Sequence, residues 1–107
     1  QIKQKYVFKV QYFGHAGDGN LHIYACSNEM DKEEFLKQTD DFMSEIYKKA
    51  MELGGQISGE HGIGMGKAKY LAMTAGSVNI RLMQGIKKVF EPKNILNPGK
   101  VCYFFST

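Results

Sequence analysis

Three histidines and one glutamate carry most of the chemistry in this 107-residue sequence. His15 and His22 flank the run Gly17-Asp18-Gly19-Asn20, which is dense in residues that tolerate positive φ. With a hairpin turn at 17–20, positions 15 and 22 oppose each other. Opposed residues share a face of the hairpin, with Cβ atoms about 4.5–5.5 Å apart. Two imidazoles placed this way can share a divalent ion, each at about 2.0–2.1 Å. The spacing leaves a second reading open, a pair of hydrogen-bonded histidines beside a turn. Asp18 reads as a turn residue accepting from nearby backbone N–H groups, or as a partner orienting a ligand histidine.

Glu60 and His61 stand in a segment with glycine at 59, 62, 64 and 66. Adding Glu60 to the two histidines gives a two-His, one-carboxylate set with positions left for water or substrate. His61 is then a base beside the ion: a metal-bound hydroxyl loses its proton more easily, and an imidazole accepts it near neutral pH. An exposed Glu-His pair in a glycine-rich loop is the alternative. Gly62-Ile-Gly-Met-Gly66 is not a dinucleotide fingerprint, because the spacing is not GxGxxG and no βαβ unit surrounds it. Neither a P-loop nor a serine nucleophile elbow is present.

These groups need elements to hold them. Residues 5–13 and 20–26 are rich in aromatic and β-branched types and read as two strands of a hairpin. Asp31 is placed to cap a helix, with Glu34 completing a capping box. Phe35, Leu36, Phe42, Met43, Ile46, Tyr47, Ala50 and Leu53 then recur at helical spacing until Gly54-Gly55 ends the run. The apolar face of this helix is expected to pack on the hairpin. Residues 56–58 read as a short third strand. Residues 67–75 form a short helix, and Ser77 caps another that runs to Phe90 before Pro92. Asn97-Pro98-Gly99 is a turn. The expected fold is α+β: a small antiparallel sheet, the hairpin plus the short strand, covered by helices on one face.

The chain is long enough for one domain, spanning 1–107. Hydrophobic residues at 43% and charged residues at 23% are ordinary for a globular protein. The net charge of +3 comes from basic residues interleaved with acidic ones, which gives no stripe for nucleic acid. No apolar stretch is long enough for a transmembrane segment. Cys26 and Cys102 form no CxxC, and both are expected as reduced, partly buried thiols.

Three motifs in order bring a family into view. His15-Ala-Gly-Asp-Gly-Asn-Leu-His22, then Gly59-Glu-His-Gly-Ile-Gly64 with Lys67, then Phe90-Glu-Pro-Lys-Asn-Ile-Leu-Asn-Pro-Gly-Lys100 resemble the C-terminal domain of the FAD-linked oxidases. That group includes the flavin-bearing chain of glycolate oxidase, D-lactate dehydrogenase and D-2-hydroxyglutarate dehydrogenase. The resemblance runs from about residue 6 to residue 101. It implies a ferredoxin-like cap-domain fragment whose FAD is held mainly by an N-terminal FAD-binding domain absent from this sequence. It implies a divalent metal, with zinc expected, on His15, His22 and Glu60. The resemblance also implies that His61 faces the 2-hydroxyacid substrate as catalytic base, with hydride passing from the α-carbon to flavin N5. Tyr24 stands where the 2-hydroxyglutarate enzymes place a polar substrate contact, and Asn20 and Asn97 fall to the cofactor side.

Further expectations follow. The chain starts at Gln1, directly before strand-like sequence, and reads as part of something longer. The isolated domain is expected to be inactive, since nothing in it cradles the FAD pyrophosphate. The apolar tail of Val101, Tyr103, Phe104 and Phe105 is expected to dock on the missing FAD domain, or to drive self-association without it. The parent enzyme is expected in the cytoplasm, free or peripheral to the membrane. A stand-alone metal-binding or assembly module of the same fold, without redox activity, is the competing reading.

Overall fold

The aromatic residues of the first third of the chain do not all enter the sheet, and this sets where the sheet begins. The computed structural model describes residues 1–102. It contains two units, Gln1–Gly54 and Gly55–Thr107. Tyr103, Phe104 and Phe105 lie outside the described residues.

In the first unit, a 3-10 turn at Lys3–Lys5 precedes strand β1, Lys9–His15. A second 3-10 turn, Ala16–Asp18, leads into strand β2, Asn20–Cys26. Helix α1, Lys32–Glu52, follows. β1 starts later than its β-type sequence suggests because Tyr6 and Phe8 are drawn away from it. Phe8 is buried, and its ring meets Phe42 at 5.3 Å and Phe35 at 5.9 Å, both edge-on. Tyr6 adds an edge contact to Phe42 at 5.4 Å. Phe42 is 1% exposed and forms the hub of this cluster. Edge-to-face pairs of this kind add to the gain from area burial.

The closest aromatic packing of α1 is therefore on the segment before β1. Between α1 and the hairpin face that carries Val10, Tyr12, Leu21 and Ile23 runs an open groove of about 670 Å³, with Phe42 and Ile46 on its helix side. Asp31 caps α1 as expected, its Oδ2 accepting from the Glu33 N–H at 3.0 Å. The capping box does not close, because the Glu34 carboxylate accepts from Gln38 one turn along, at 3.1 Å. At the other end Gly54 takes a left-handed conformation, φ 82°, and its N–H donates to the Met51 carbonyl at 2.9 Å.

In the second unit, residues 56–58 form no strand, so the sheet has two strands among the described residues. Ile57 is instead buried, and its carbonyl accepts from Lys67 Nζ at 3.1 Å. Glycines at 55 and 59 leave too short a run for pairing. Helix α2, Ala68–Phe90, is broken at Gly76, φ 71° and ψ 162°, which yields the two expected helices. Leu71, Ile80 and Cys102 form the core of this unit, with Ile63, Ala75 and Val101 packed against them. Both cysteines are free thiols. Cys102 is buried, but Cys26, at the end of β2, is exposed rather than partly buried. No helix of the described residues is long and apolar enough to cross a membrane.

One cluster links the start of the chain to α1. Glu45 accepts from Lys5 Nζ at 2.7 Å and from the Tyr6 hydroxyl at 2.8 Å. These two donors hold its carboxyl below the ordinary carboxylate range. Desolvation, then the bond to Glu45, pushes the Tyr6 phenol up from 10.0 to about 12. A raised phenol pKa favours the folded state while the phenol is protonated. That contribution is complete below pH 10 and is lost as pH rises towards about 12. The stability gap between the wild type and Tyr6→Phe should stay constant from neutral pH up to about pH 10 and close towards pH 12. Denaturant unfolding across that range checks it, and a gap constant throughout would refute it.

Candidate metal and substrate site

The hairpin turn comes one residue earlier than the sequence suggests. Ala16–Asp18 form the 3-10 turn and Gly19 closes it at φ 67°, its N–H donating to the Ala16 carbonyl at 3.2 Å. The register is His15 opposite Asn20, Gly14 opposite Leu21, and Phe13 opposite His22. His15 and His22 are thus diagonal neighbours rather than opposed ones. The pairing differs from expectation by two residues, an even number, so both side chains still share a face. Asp18 belongs to the turn.

On that face the imidazole ring centroids of His15 and His22 are 6.1 Å apart, edge to face. A ligating nitrogen of one lies within 4.8 Å of a ligating nitrogen of the other. A ring bound through nitrogen has its centre roughly 3 Å from the ion, so two such rings can span this separation. The pair therefore fits a divalent ion in donor type and spacing.

Asn20 and Tyr24 lie on the same face by alternation along β2. So does Phe13, which the motifs alone do not single out. Its ring stacks on Tyr24 at 5.4 Å and 5° and lies 5.4 Å from the His22 ring. The alternation of β1 carries the information that finds it, since Phe13 stands two residues before His15.

In the second unit, Glu60 and His61 sit on a loop fixed from both sides. Ser58 Oγ donates to the Gly62 carbonyl at 3.0 Å, and Lys67 Nζ reaches the Ile57 carbonyl. Ile63 packs into the core of this unit. Gly62 and Gly64 take positive φ, 77° and 54°, which lets the chain double back here. The Val101 N–H donates to the Gly64 carbonyl at 2.6 Å. Val101 has φ 56°, an unusual state for a β-branched residue, and this bond helps hold it there. The Cys102 carbonyl accepts from Gln84 Nε2 at 2.8 Å. Glu60 Oε1 and His61 Nε2 are 3.9 Å apart, with both side chains well exposed. Asn97 has φ 48° and is exposed in the turn after α2.

The description "FAD linked oxidases, C-terminal domain" matches residues 1–101. The chain belongs to this family. It is 62% identical over 96 residues to a D-lactate dehydrogenase of Anaerostipes hadrus, covering 90% of the chain and 20% of that protein. It is 45% identical over 100 residues to the glycolate oxidase chain GlcD of Bacillus subtilis, covering 94% and 21%. It is 39% identical over 95 residues to a D-2-hydroxyglutarate dehydrogenase of Stutzerimonas stutzeri, covering 88% and 20%. The chain spans about a fifth of the length of these relatives.

Within the hairpin, Gly14 is the residue with no room to change. A Cβ there would sit 2.1 Å from the Asn20 carbonyl oxygen. Gly14→Ala should therefore destabilise the protein by about 1–3 kcal/mol or more, the cost of overpacking against backbone. Chemical denaturation of the two forms measures this, and equal stabilities would show that the β1–β2 register is wrong.

Proposed function

We propose that this domain forms the substrate side of an FAD-dependent dehydrogenase that oxidises a D-2-hydroxyacid, of the glycolate or D-lactate type, to the 2-oxoacid. The observation that carries the proposal is the His15–His22 pair on one face of the hairpin, next to Tyr24. Relatives named D-lactate dehydrogenase and glycolate oxidase support the reaction class.

In this reading His15, His22 and Glu60 hold a divalent ion, with zinc the first candidate by donor type. When bound, such an ion supplies Lewis acidity that lowers the pKa of the substrate hydroxyl. His61 takes the hydroxyl proton on a ring nitrogen. As the O–H bond breaks, the α-carbon–hydrogen bond delivers its electron pair outward as hydride and the C=O bond forms. When bound, the flavin supplies the acceptor for that hydride at N5. Tyr24 contacts the substrate from β2. Asn20 and Asn97 complete the cofactor side.

Two substitutions in the flavin-loaded protein test this. His22→Ala should abolish metal binding and leave helix content intact, as followed by elemental analysis and circular dichroism. Unchanged metal stoichiometry would remove His22 as a ligand. His61→Ala should lower the turnover number by about 10²–10⁴-fold, the usual worth of a positioned general base. Substrate affinity should change far less, and an unaffected turnover number would strip His61 of its role.

A further inference from the structure

We infer that Gln84, Lys87 and Glu91, a row of side chains at the C-terminal end of α2, are positioning residues that hold the loop bearing His61 in place. This rests on the function proposed above, in which His61 is the base, and adds to it residues remote from the reacting atoms. The three stand three and four positions apart, on one side of the helix end. Each grips the segment that follows α2. Glu91 Oε1 accepts from the Ile95 N–H at 2.5 Å. Lys87 Nζ donates to the Leu96 carbonyl and lies 3.6 Å from Glu91 Oε2. Gln84 Nε2 donates to the Cys102 carbonyl at 2.8 Å.

Between these grips Asn97, Gly99 and Val101 take positive φ, 48°, 72° and 56°. Asn97 and Val101 hold such angles only where their surroundings over-determine them. Glu91 is a poor choice for stabilising the helix itself. Among the described residues it is the one charged side chain that is buried. Burial costs a carboxylate its hydration, and at a helix C-terminus it opposes the dipole. What it offers in return is the hold on Ile95 and the pairing with Lys87. The segment passes its placement on through the bond from the Val101 N–H to the Gly64 carbonyl, 2.6 Å. Gly62 and Gly64 give the loop little stiffness of its own, so this outside bond fixes its path. The His61 side chain is 60% exposed and takes its place largely from the backbone beneath it. A series of contacts, all within the second unit, thus runs from Glu91 to the loop of His61.

The test uses the flavin-loaded protein and two readouts. Trypsin cleavage after Lys67, followed by mass spectrometry, reports release of the loop without turnover, and cleavage after Arg81, inside α2, reports unravelling of the unit. Glu91→Ala should speed the first cut by about tenfold and leave the second unchanged, as local opening does. It should lower kcat by about tenfold and keep KM within about twofold, since a loosened base weakens the transition state and not substrate binding. In the His61→Ala background the same change should lower kcat by less than about twofold, because residues acting through one another are not additive. Glu91→Gln keeps an acceptor for the Ile95 N–H and should restore most of both losses. Gln84→Ala removes a single grip and should move both readouts the same way, which serves if Glu91→Ala folds poorly. Equal acceleration of the two cuts, or of neither, would overturn the inference, as would a kcat loss undiminished in the His61→Ala background. If His61→Ala itself leaves turnover unchanged, the proposed base fails instead, and the ratio of the two cuts still decides whether this row holds the loop.

Discussion

Side chains alternate along a strand, so a slip of one residue in the β1–β2 pairing would send His22 to the opposite face from His15. The pairing of these histidines is thus a property of register before it is one of side chains. Two glycines secure it. Gly19 closes the turn at positive φ, and Gly14 leaves room for the Asn20 carbonyl, which a Cβ would meet at 2.1 Å. The run from Gly14 to His22 thus encodes a geometry in which Gly14 and Gly19 fix where the two histidines fall.

The two units anchor their chemistry differently. In the first, the hairpin emerges from an aromatic cluster centred on Phe42, with Glu45 clasped by Lys5 and Tyr6. In the second, Glu60 and His61 project from a loop that is itself held by Ile57, Ile63, Lys67 and Val101. Their side chains remain exposed while the backbone beneath them is braced. A loop of this kind presents its side chains to solvent on a fixed backbone.

Much of this is legible in the sequence where local rules act alone. The ends of α1, the second strand and the break of α2 at Gly76 follow from capping, alternation and glycine chemistry. The shared face of His15 and His22 is legible too, though from a pairing displaced by two residues; parity preserves the conclusion. What fails depends on tertiary competition. Phe8 leaves the strand for Phe42, Ile57 is buried without pairing, and Glu34 finds Gln38 before it finds the cap. The part played by Phe13 emerges only once its ring is seen against Tyr24. Glu60 and His61 stand on the loop where their flanking glycines suggest, and the motifs identify the family correctly.

The bond from the Val101 amide to the Gly64 carbonyl has a use beyond holding the chain. An amide proton exchanges with solvent only when its acceptor lets go. Val101 is thereby a built-in clock for the histidine-bearing loop, since its exchange lifetime records how often that loop detaches from the segment following α2.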